Sequence, residues 1–134
     1  MRHPSPLVDI VSTGRFLPDQ NVTNDDLAKR VDTSDEWIRT RTGIGARRIA
    51  PEGMGAAHMG AEAARRALHE AQVDVGEVDI LILSTATPDR WLPSTACDAQ
   101  YLLGCANALA FDIMAACSGF LYGLAMAEGY LASK

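Results

Sequence analysis

Apolar residues along the chain form three compact runs, at residues 6–14, 78–87 and 107–115, and longer stretches with helical spacing separate them. The second run, VDILILSTAT, is almost continuously apolar and rich in β-branched residues. That pattern is typical of a strand buried on both faces of a parallel sheet. A glycine turn closes the first run, and the third is also strongly apolar, so strands are predicted in all three places.

Helices are predicted in the intervals. Residues 55–72 place small side chains along one face of a long helix, which suits close packing on a sheet. A second helix runs from Ser94 to about Gly104, and a last one begins at Cys117. Strands and helices that alternate in this way predict an α/β fold with a mostly parallel sheet.

Two short helices are predicted between the first strand and residue 55. Asn24 is expected to cap the first of them. Thr33 and Glu36 have the spacing of a capping box for the second, and Gly43 is its expected C-cap. The second helix carries Trp37.

Composition narrows the class of protein. The chain has 134 residues and a net charge of −5, which argues against non-specific nucleic-acid binding. Its three cysteines make neither a disulfide framework nor a zinc site, so we expect a reduced, cytoplasmic protein without a metal. The N-terminus lacks a signal-peptide pattern. Residues 113–132 include Glu128 and three glycines, which favours a buried core helix over a membrane span.

Basic residues are concentrated in one place on this acidic chain, where Arg39, Arg41, Arg47 and Arg48 fall within ten residues. A solvated surface explains such spacing, and the spacing alone favours that explanation. The alternative is a site for a phosphorylated or acidic partner. The pattern leaves both open.

Cys117 lies where a predicted buried strand gives way to a helix. Ligands bind at this end of strands in doubly wound sheets, and the positive end of a helix dipole stabilises a thiolate. Small neighbours, Ala115, Ala116, Ser118 and Gly119, leave room for a substrate. Free cysteines are nevertheless usually buried and inert, which is the interpretation favoured for Cys97 and Cys105. Position alone does not make Cys117 a nucleophile.

Two separated motifs resemble β-ketoacyl-acyl-carrier-protein synthase III, a condensing enzyme of the thiolase superfamily. They are NVTNDDLAKRVDTSDEWIRTRTGI at 21–44 and AFDIMAACSGFLYGL at 110–124, and TATPDRWLPSTACDAQ at 85–100 is similar as well. The resemblance implies a thiolase-like α/β fold built from two βαβαβαββ halves. Residues 1–134 would then be an N-terminal portion of the first half, with the C-terminal half absent from this chain.

The resemblance also implies a reaction. Cys117 would take the acyl group of a short acyl-CoA primer, with acetyl-CoA the expected one, and release CoA. Malonyl-acyl-carrier protein would then lose CO2 and condense with that acyl group, which starts type II fatty acid synthesis. No cofactor is implied, since the CoA thioester is a substrate. The expected partners are these two substrates and a second copy of the chain paired through residues 107–113, with neither nucleic acid nor a membrane.

Roles for further residues follow from the same resemblance. Trp37 would offer an aromatic face to the CoA adenine, Thr33 a polar contact to the base edge, and Arg41 a charge on the phosphate side. Without the resemblance, Trp37 is better interpreted as a partly buried packing residue. Leu92 stands where the family often has a phenylalanine that crosses the dimer interface and closes the partner's acyl pocket. The resemblance therefore implies the reaction class and leaves the acyl chain of the primer open.

The resemblance requires two groups that the chain does not supply. A histidine and an asparagine that stabilise the condensation carbanion are expected in the C-terminal half, and His3, His58 and His69 do not match them. Two alternatives remain open. One is a related condensing or acyl-transfer enzyme of secondary metabolism, and the other is an incomplete protein that only binds CoA or a partner.

Overall fold

The structure is a computed structural model that describes residues 8–133. These residues divide into two compact units, one formed by residues 17–54 and the other by residues 8–16 and 55–133. We call them the small unit and the large unit, and each is described by itself.

The small unit contains two short helices and a two-stranded antiparallel sheet. Its elements are β1 (Gln20–Thr23), α1 (Asn24–Ala28), α2 (Asp35–Thr42) and β2 (Ala46–Ile49). The strands pair from Gln20 opposite Ile49 to Thr23 opposite Ala46. This antiparallel pair is absent from the sequence prediction, because strands of four residues carry too little periodicity to be recognised.

The caps of these helices differ by one residue from those predicted. Thr23, not Asn24, caps α1, in a reciprocal capping box with Asp26. Ser34, not Thr33, caps α2 and accepts a hydrogen bond from the Trp37 backbone N–H. Each predicted cap has a hydroxyl residue immediately before or after it, and side-chain chemistry alone does not choose between neighbours. The C-cap at Gly43 is confirmed, with a left-handed φ of 73°.

The large unit contains the predicted parallel strands and the three predicted helices. Its elements are α3 (Ala56–Ala71), β3 (Ile80–Ser84), α4 (Thr95–Leu103), β4 (Leu109–Ile113) and α5 (Gly119–Ala132), with single 3₁₀ turns at Val75–Glu77 and Ala116–Ser118. The parallel pairing runs from Ile80 opposite Leu109 to Ser84 opposite Ile113. Both strands therefore end at the same edge, which is where the chain turns towards Cys117.

The predicted first strand at 6–14 is wrong over the residues that the structure describes. Residues 8–14 form no strand, and residues 6 and 7 lie outside the described part. The segment packs on α3 instead. Ser12 Oγ donates a 2.8 Å hydrogen bond to the Ala67 carbonyl, and a Cβ on Gly14 would lie 2.1 Å from the Ala63 carbonyl oxygen. The Ser12 hydroxyl and the absence of a Cβ at Gly14 thus allow this segment to pack closely on helix α3.

Helix α5 is apolar nearly all round, and the chain leaves much of it exposed. Phe120 is 68% exposed and Leu121, Tyr122 and Met126 are exposed as well, which is what we expect of a core helix in an N-terminal portion taken without the rest of its fold. Among residues 8–133, no helix has both the length and the apolar character needed to cross a membrane. The core of the large unit instead lies under α3 and α4, around Ala61, Leu103, Cys105 and Ala108.

Candidate functional site

Cys117 lies in a tight turn between β4 and α5. The backbone leaves β4 at Ile113 and forms the 3₁₀ turn Ala116–Ser118 before α5 begins at Gly119. The sequence predicts Cys117 in the first turn of the helix, whereas the structure has it in the turn just before the helix. Its side chain is exposed, whereas Cys105 is buried and Cys97 is half-buried.

Ala116 gives this turn its shape. Its φ of 43° is left-handed, a conformation that costs an L-residue with a Cβ about 1–2 kcal/mol. The Ser118 N–H donates to the Ala115 carbonyl at 3.0 Å and closes the turn. Strained turns of this kind are concentrated at functional sites, and here the strain immediately precedes the exposed sulfur. The sequence contains no sign of it, since alanine has no preference for positive φ.

The N-terminus of α5 is held against the end of β3. Gly119 is buried, and a Cβ there would lie 1.9 Å from Ser84 Oγ and 3.2 Å from Ser84 Cβ. Only glycine lets the helix begin this close to the strand. The position of Cys117, two residues earlier, is therefore tied to the edge of the sheet.

An open apolar groove of about 610 Å³ lies beside Cys117 on the large unit. Small residues of α3, the end of β3 and Phe120 line it together with the cysteine, and Leu92 is not part of that lining. A thioester carbonyl could approach the sulfur from this side, and burying alkyl carbons against such walls is favourable at about 0.8 kcal/mol per methylene.

Leu92 lies in the loop between β3 and α4, and it is 86% exposed.

Two carboxylates of the large unit cap the N-termini of helices that are distant from them along the chain. Asp89 accepts hydrogen bonds from the first two backbone N–H groups of α3, and Asp112 of β4 does the same for α4. The Asp89 N–H also donates to the hydroxyl of the buried Thr95. Neither carboxylate is recognisable as a cap in the sequence, because each caps a helix far from it along the chain.

The other candidate residues lie together on the small unit, on or beside α2. Trp37 is 53% exposed, and the Arg41 guanidinium lies over its ring, 4.8 Å from the ring centroid. The two side chains are four residues apart on one helix, so they share a face. Thr33 lies just before the helix, and its hydroxyl is buried without a hydrogen-bond partner among the described residues.

The four arginines of the basic cluster do not act as one patch. Arg39 pairs with Asp35 of the same helix, with its Nε 2.8 Å from the carboxylate. Arg47 donates to the Val22 carbonyl and Asn24 Oδ1, and Arg48 to the carbonyls of Pro18 and Asp19. Of these four arginines, Arg41 combines exposure with an aromatic neighbour, which is an arrangement suited to a base with an attached phosphate.

The described histidines lie outside these groups of residues. His58 and His69 are exposed on α3, and His3 is outside the described part. Among residues 8–133, no group of three or more histidine, cysteine, aspartate or glutamate side chains is arranged to hold a metal ion.

Comparison with known proteins identifies the fold and the relatives. No family model matches the chain. A β-ketoacyl-[acyl-carrier-protein] synthase III of Clostridium botulinum is 50% identical over 120 residues, which are 90% of this chain and 36% of the relative. The crystal structure of 3-oxoacyl-[acyl-carrier-protein] synthase III from Aquifex aeolicus matches with a TM-score of 0.86 and 50% identity, covering 92% of this chain and 40% of that one.

A second solved structure widens the set of relatives. The priming β-ketosynthase of the R1128 polyketide pathway matches with a TM-score of 0.86 and 37% identity, over 96% of this chain and 39% of its own. The chain thus spans well under half the length of the relatives that it matches. Along about nine-tenths of its own length it is similar to β-ketoacyl-[acyl-carrier-protein] synthase III, and it has the thiolase-like α/β fold that the motifs implied.

Proposed function

We propose that the protein containing this chain is a β-ketoacyl-acyl-carrier-protein synthase III and that Cys117 is its acyl-accepting nucleophile. One observation carries the proposal: the exposed thiol lies in a strained turn at the N-terminus of a helix, in a chain half identical to enzymes of that name. The enzyme would condense the acyl group of a short acyl-CoA primer, with acetyl-CoA the expected one, with malonyl-acyl-carrier protein. It would be a cytoplasmic homodimer. It would need no cofactor, since the CoA thioester is a substrate.

The first half-reaction uses groups of the large unit. The Cys117 thiolate attacks the thioester carbonyl, a new C–S bond forms, and the CoA thiolate leaves. The oxyanion that develops in between is stabilised by the Cys117 backbone N–H and the positive end of α5, because both are fixed before the substrate arrives. Holding the acyl group on sulfur divides the condensation into two easier steps.

The second half-reaction forms the carbon–carbon bond. Malonyl-acyl-carrier protein loses CO2, the resulting carbanion attacks the acyl carbonyl, and the Cys117 thiolate is the leaving group. That carbanion needs hydrogen-bond donors, and we propose that a histidine and an asparagine outside this chain supply them. His58 and His69 lie on α3 rather than in the turn that carries the sulfur.

The small unit would bind the nucleotide end of CoA. Arg41 covers one face of Trp37, so an adenine would stack on the opposite face while Arg41 faces the phosphates. Thr33 would contact the base edge, and its hydroxyl has a free hydrogen-bonding capacity for that purpose. Because the hydroxyl is buried, Thr33 would have to change rotamer as the base binds.

A second candidate is a priming condensing enzyme of secondary metabolism. The 37% identity to a polyketide priming synthase favours it, as does Leu92 at a position where the family often has phenylalanine. We propose that Leu92 of one protomer closes the acyl pocket of the other. A smaller side chain there leaves room for longer primers, so the two candidates differ in their primer profile rather than in their chemistry.

Intact-mass spectrometry tests the function. The natural-length protein is incubated with acetyl-CoA, alongside Cys117→Ala and the matched control Cys97→Ala. We expect an added acetyl group on the parent and on Cys97→Ala, and none on Cys117→Ala. An adduct that persists in Cys117→Ala would disprove the role of this sulfur. CoA binding without any adduct would support a binding protein instead.

A further inference from the structure

Asn24 is the most completely buried polar side chain of the small unit, with no exposed surface. Its amide makes three hydrogen bonds. Nδ2 donates to Asp35 Oδ1 and to the Ile44 carbonyl, both at 2.8 Å, and Oδ1 accepts from Arg47 Nη2 at 2.8 Å. A buried amide whose donors are both used is expensive to disturb, because each unpaired group then keeps its desolvation cost.

The two donor bonds reach the two ends of one helix. Asp35 is the first residue of α2, and Ile44 follows its C-cap, Gly43. One amide nitrogen therefore holds both flanks of the helix that carries Trp37 and Arg41. The hydrogen bond from Asn24 is also the main cause of the lowered pKa of Asp35, with Arg39 second.

The acceptor bond ties this helix to the sheet of the small unit. Arg47 lies on β2, and its second guanidinium nitrogen, Nη1, donates to the Val22 carbonyl of β1. The Asn24 side chain thus joins α2 to both strands through Arg47. The face of α2 that bears Trp37 is exposed, while Ile38 next to it is buried. Rotation of α2 would move the ring and the guanidinium together.

We propose that Asn24 is a positioning residue for nucleotide recognition: it fixes the orientation of α2, and through it the Trp37–Arg41 pair that receives the adenine and phosphates of CoA. The inference rests on the proposed function. It concerns only the nucleotide end of the substrate, so it predicts a defect that depends on whether the thioester carries a nucleotide.

The experiment compares two thioesters with the same acyl group, acetyl-CoA and acetylpantetheine, which has no nucleotide. Acylation of Cys117 is measured in the natural-length protein, with Asn24→Ser, Asn24→Asp and Trp37→Ala. Asn24→Asp keeps the shape and the acceptor for Arg47 but sets an anionic oxygen against Asp35 and the Ile44 carbonyl. Asn24→Ser is neutral, so it remains informative if Asn24→Asp does not fold. Asn21→Asp makes the same chemical change at an exposed residue of β1 and is the matched control.

We expect the Asn24 variants to lower kcat/KM for acetyl-CoA about tenfold, mainly through KM, and to leave kcat/KM for acetylpantetheine unchanged. Asn21→Asp should match the parent with both thioesters. Equal losses with both thioesters would show a general structural role and overturn the inference. The inference would also be overturned if Trp37→Ala lowered kcat/KM for acetyl-CoA alone while the Asn24 variants left kcat/KM for acetyl-CoA unchanged. If Trp37→Ala does not discriminate between the thioesters, the proposed nucleotide site is wrong and the role of Asn24 is lost with it.

Discussion

Ser84 and Gly119 touch where β3 ends and α5 begins, so closely that a Cβ on Gly119 would lie 1.9 Å from Ser84 Oγ. Rotation of the Ser84 hydroxyl could relieve only part of this overlap, because Ser84 Cβ would remain 3.2 Å away. The contact positions the helix whose preceding turn presents Cys117. The effect of this contact on Cys117 can therefore be tested by substituting Gly119 without changing the cysteine.

Gly119→Ala should displace the start of α5 and lower the free energy of unfolding by about 1–2 kcal/mol, because the added methyl overpacks a filled contact. Cys117 should then react more slowly with iodoacetamide. Gly129→Ala in the same helix is the matched control, since a Cβ there meets nothing within 4 Å. It should stabilise the protein by about 0.5–1 kcal/mol. Adding Ser84→Gly to Gly119→Ala should restore the reactivity, and a double variant as slow as Gly119→Ala would contradict this account.

Ala116→Gly should relieve the left-handed strain at φ 43° and leave the protein as stable as the parent, or more stable by up to about 1 kcal/mol. The turn would lose rigidity, so acylation of Cys117 should slow. Thermal unfolding and the acylation rate check the two parts separately. The comparison is Ala125→Gly inside α5, which should cost about 1 kcal/mol. Equal destabilisation by both variants would show that the turn stores no strain.

Which features the sequence predicts depends on how local their causes are. β3 and β4 follow from continuous apolar runs, and the left-handed caps at Gly43 and Gly104 follow from glycine itself. The segment 8–14 was mispredicted because its position depends on contacts with α3, fifty residues away in the chain. An apolar run does not distinguish a strand from a segment packed on a helix.

In the candidate site, too, features with local causes can be predicted from the sequence and features set by distant contacts cannot. The motifs propose Cys117, Trp37 and Arg41 as candidates, and the stacking of Arg41 on Trp37 agrees with their spacing of four residues. The strain at Ala116 and the burial of Asn24 left no mark on the sequence pattern, because each is set by neighbours that the fold supplies. A cap such as Asp112, sixteen or more residues from the N–H groups that it accepts from, is undetectable for the same reason.

Asp112→Asn should lower the free energy of unfolding by about 1–2 kcal/mol, because an amide replaces a charged acceptor at two N–H groups of α4. Urea denaturation measures the change. Asp32→Asn is the matched control, since Asp32 is exposed on the small unit, and it should alter stability by less than about 0.5 kcal/mol. A loss no larger than that of the control would mean that the carboxylate is not a cap.

The three thiols should differ in their order of alkylation. Cys117 is exposed, Cys97 is half-buried with its Sγ 3.2 Å from Ser94 Oγ, and Cys105 is buried, which raises the pKa of its thiol. Because the thiolate is the reactive form, Cys105 should be labelled last and Cys117 first. Peptide mapping of the native protein after brief iodoacetamide treatment gives the order. Rapid labelling of Cys105 would contradict the burial.

Acid should weaken the small unit through Asp35. The hydrogen bond from Asn24, and after it the bond from Arg39, holds the pKa of this carboxyl below its ordinary value of 3.8. A lowered folded-state pKa means that the unfolded chain binds the proton first, so the stability that Asp35 contributes is present above that ordinary value and is lost as the pH falls through the folded-state pKa. Lowering the pH from 5 to about 3 should therefore destabilise the parent more than Asp35→Asn, which has no carboxyl to titrate. Urea denaturation followed by Trp37 fluorescence, in a Trp91→Phe background, measures both proteins at each pH. Equal acid sensitivity in the two proteins would show that the Asn24–Asp35 bond does not stabilise the charged carboxylate.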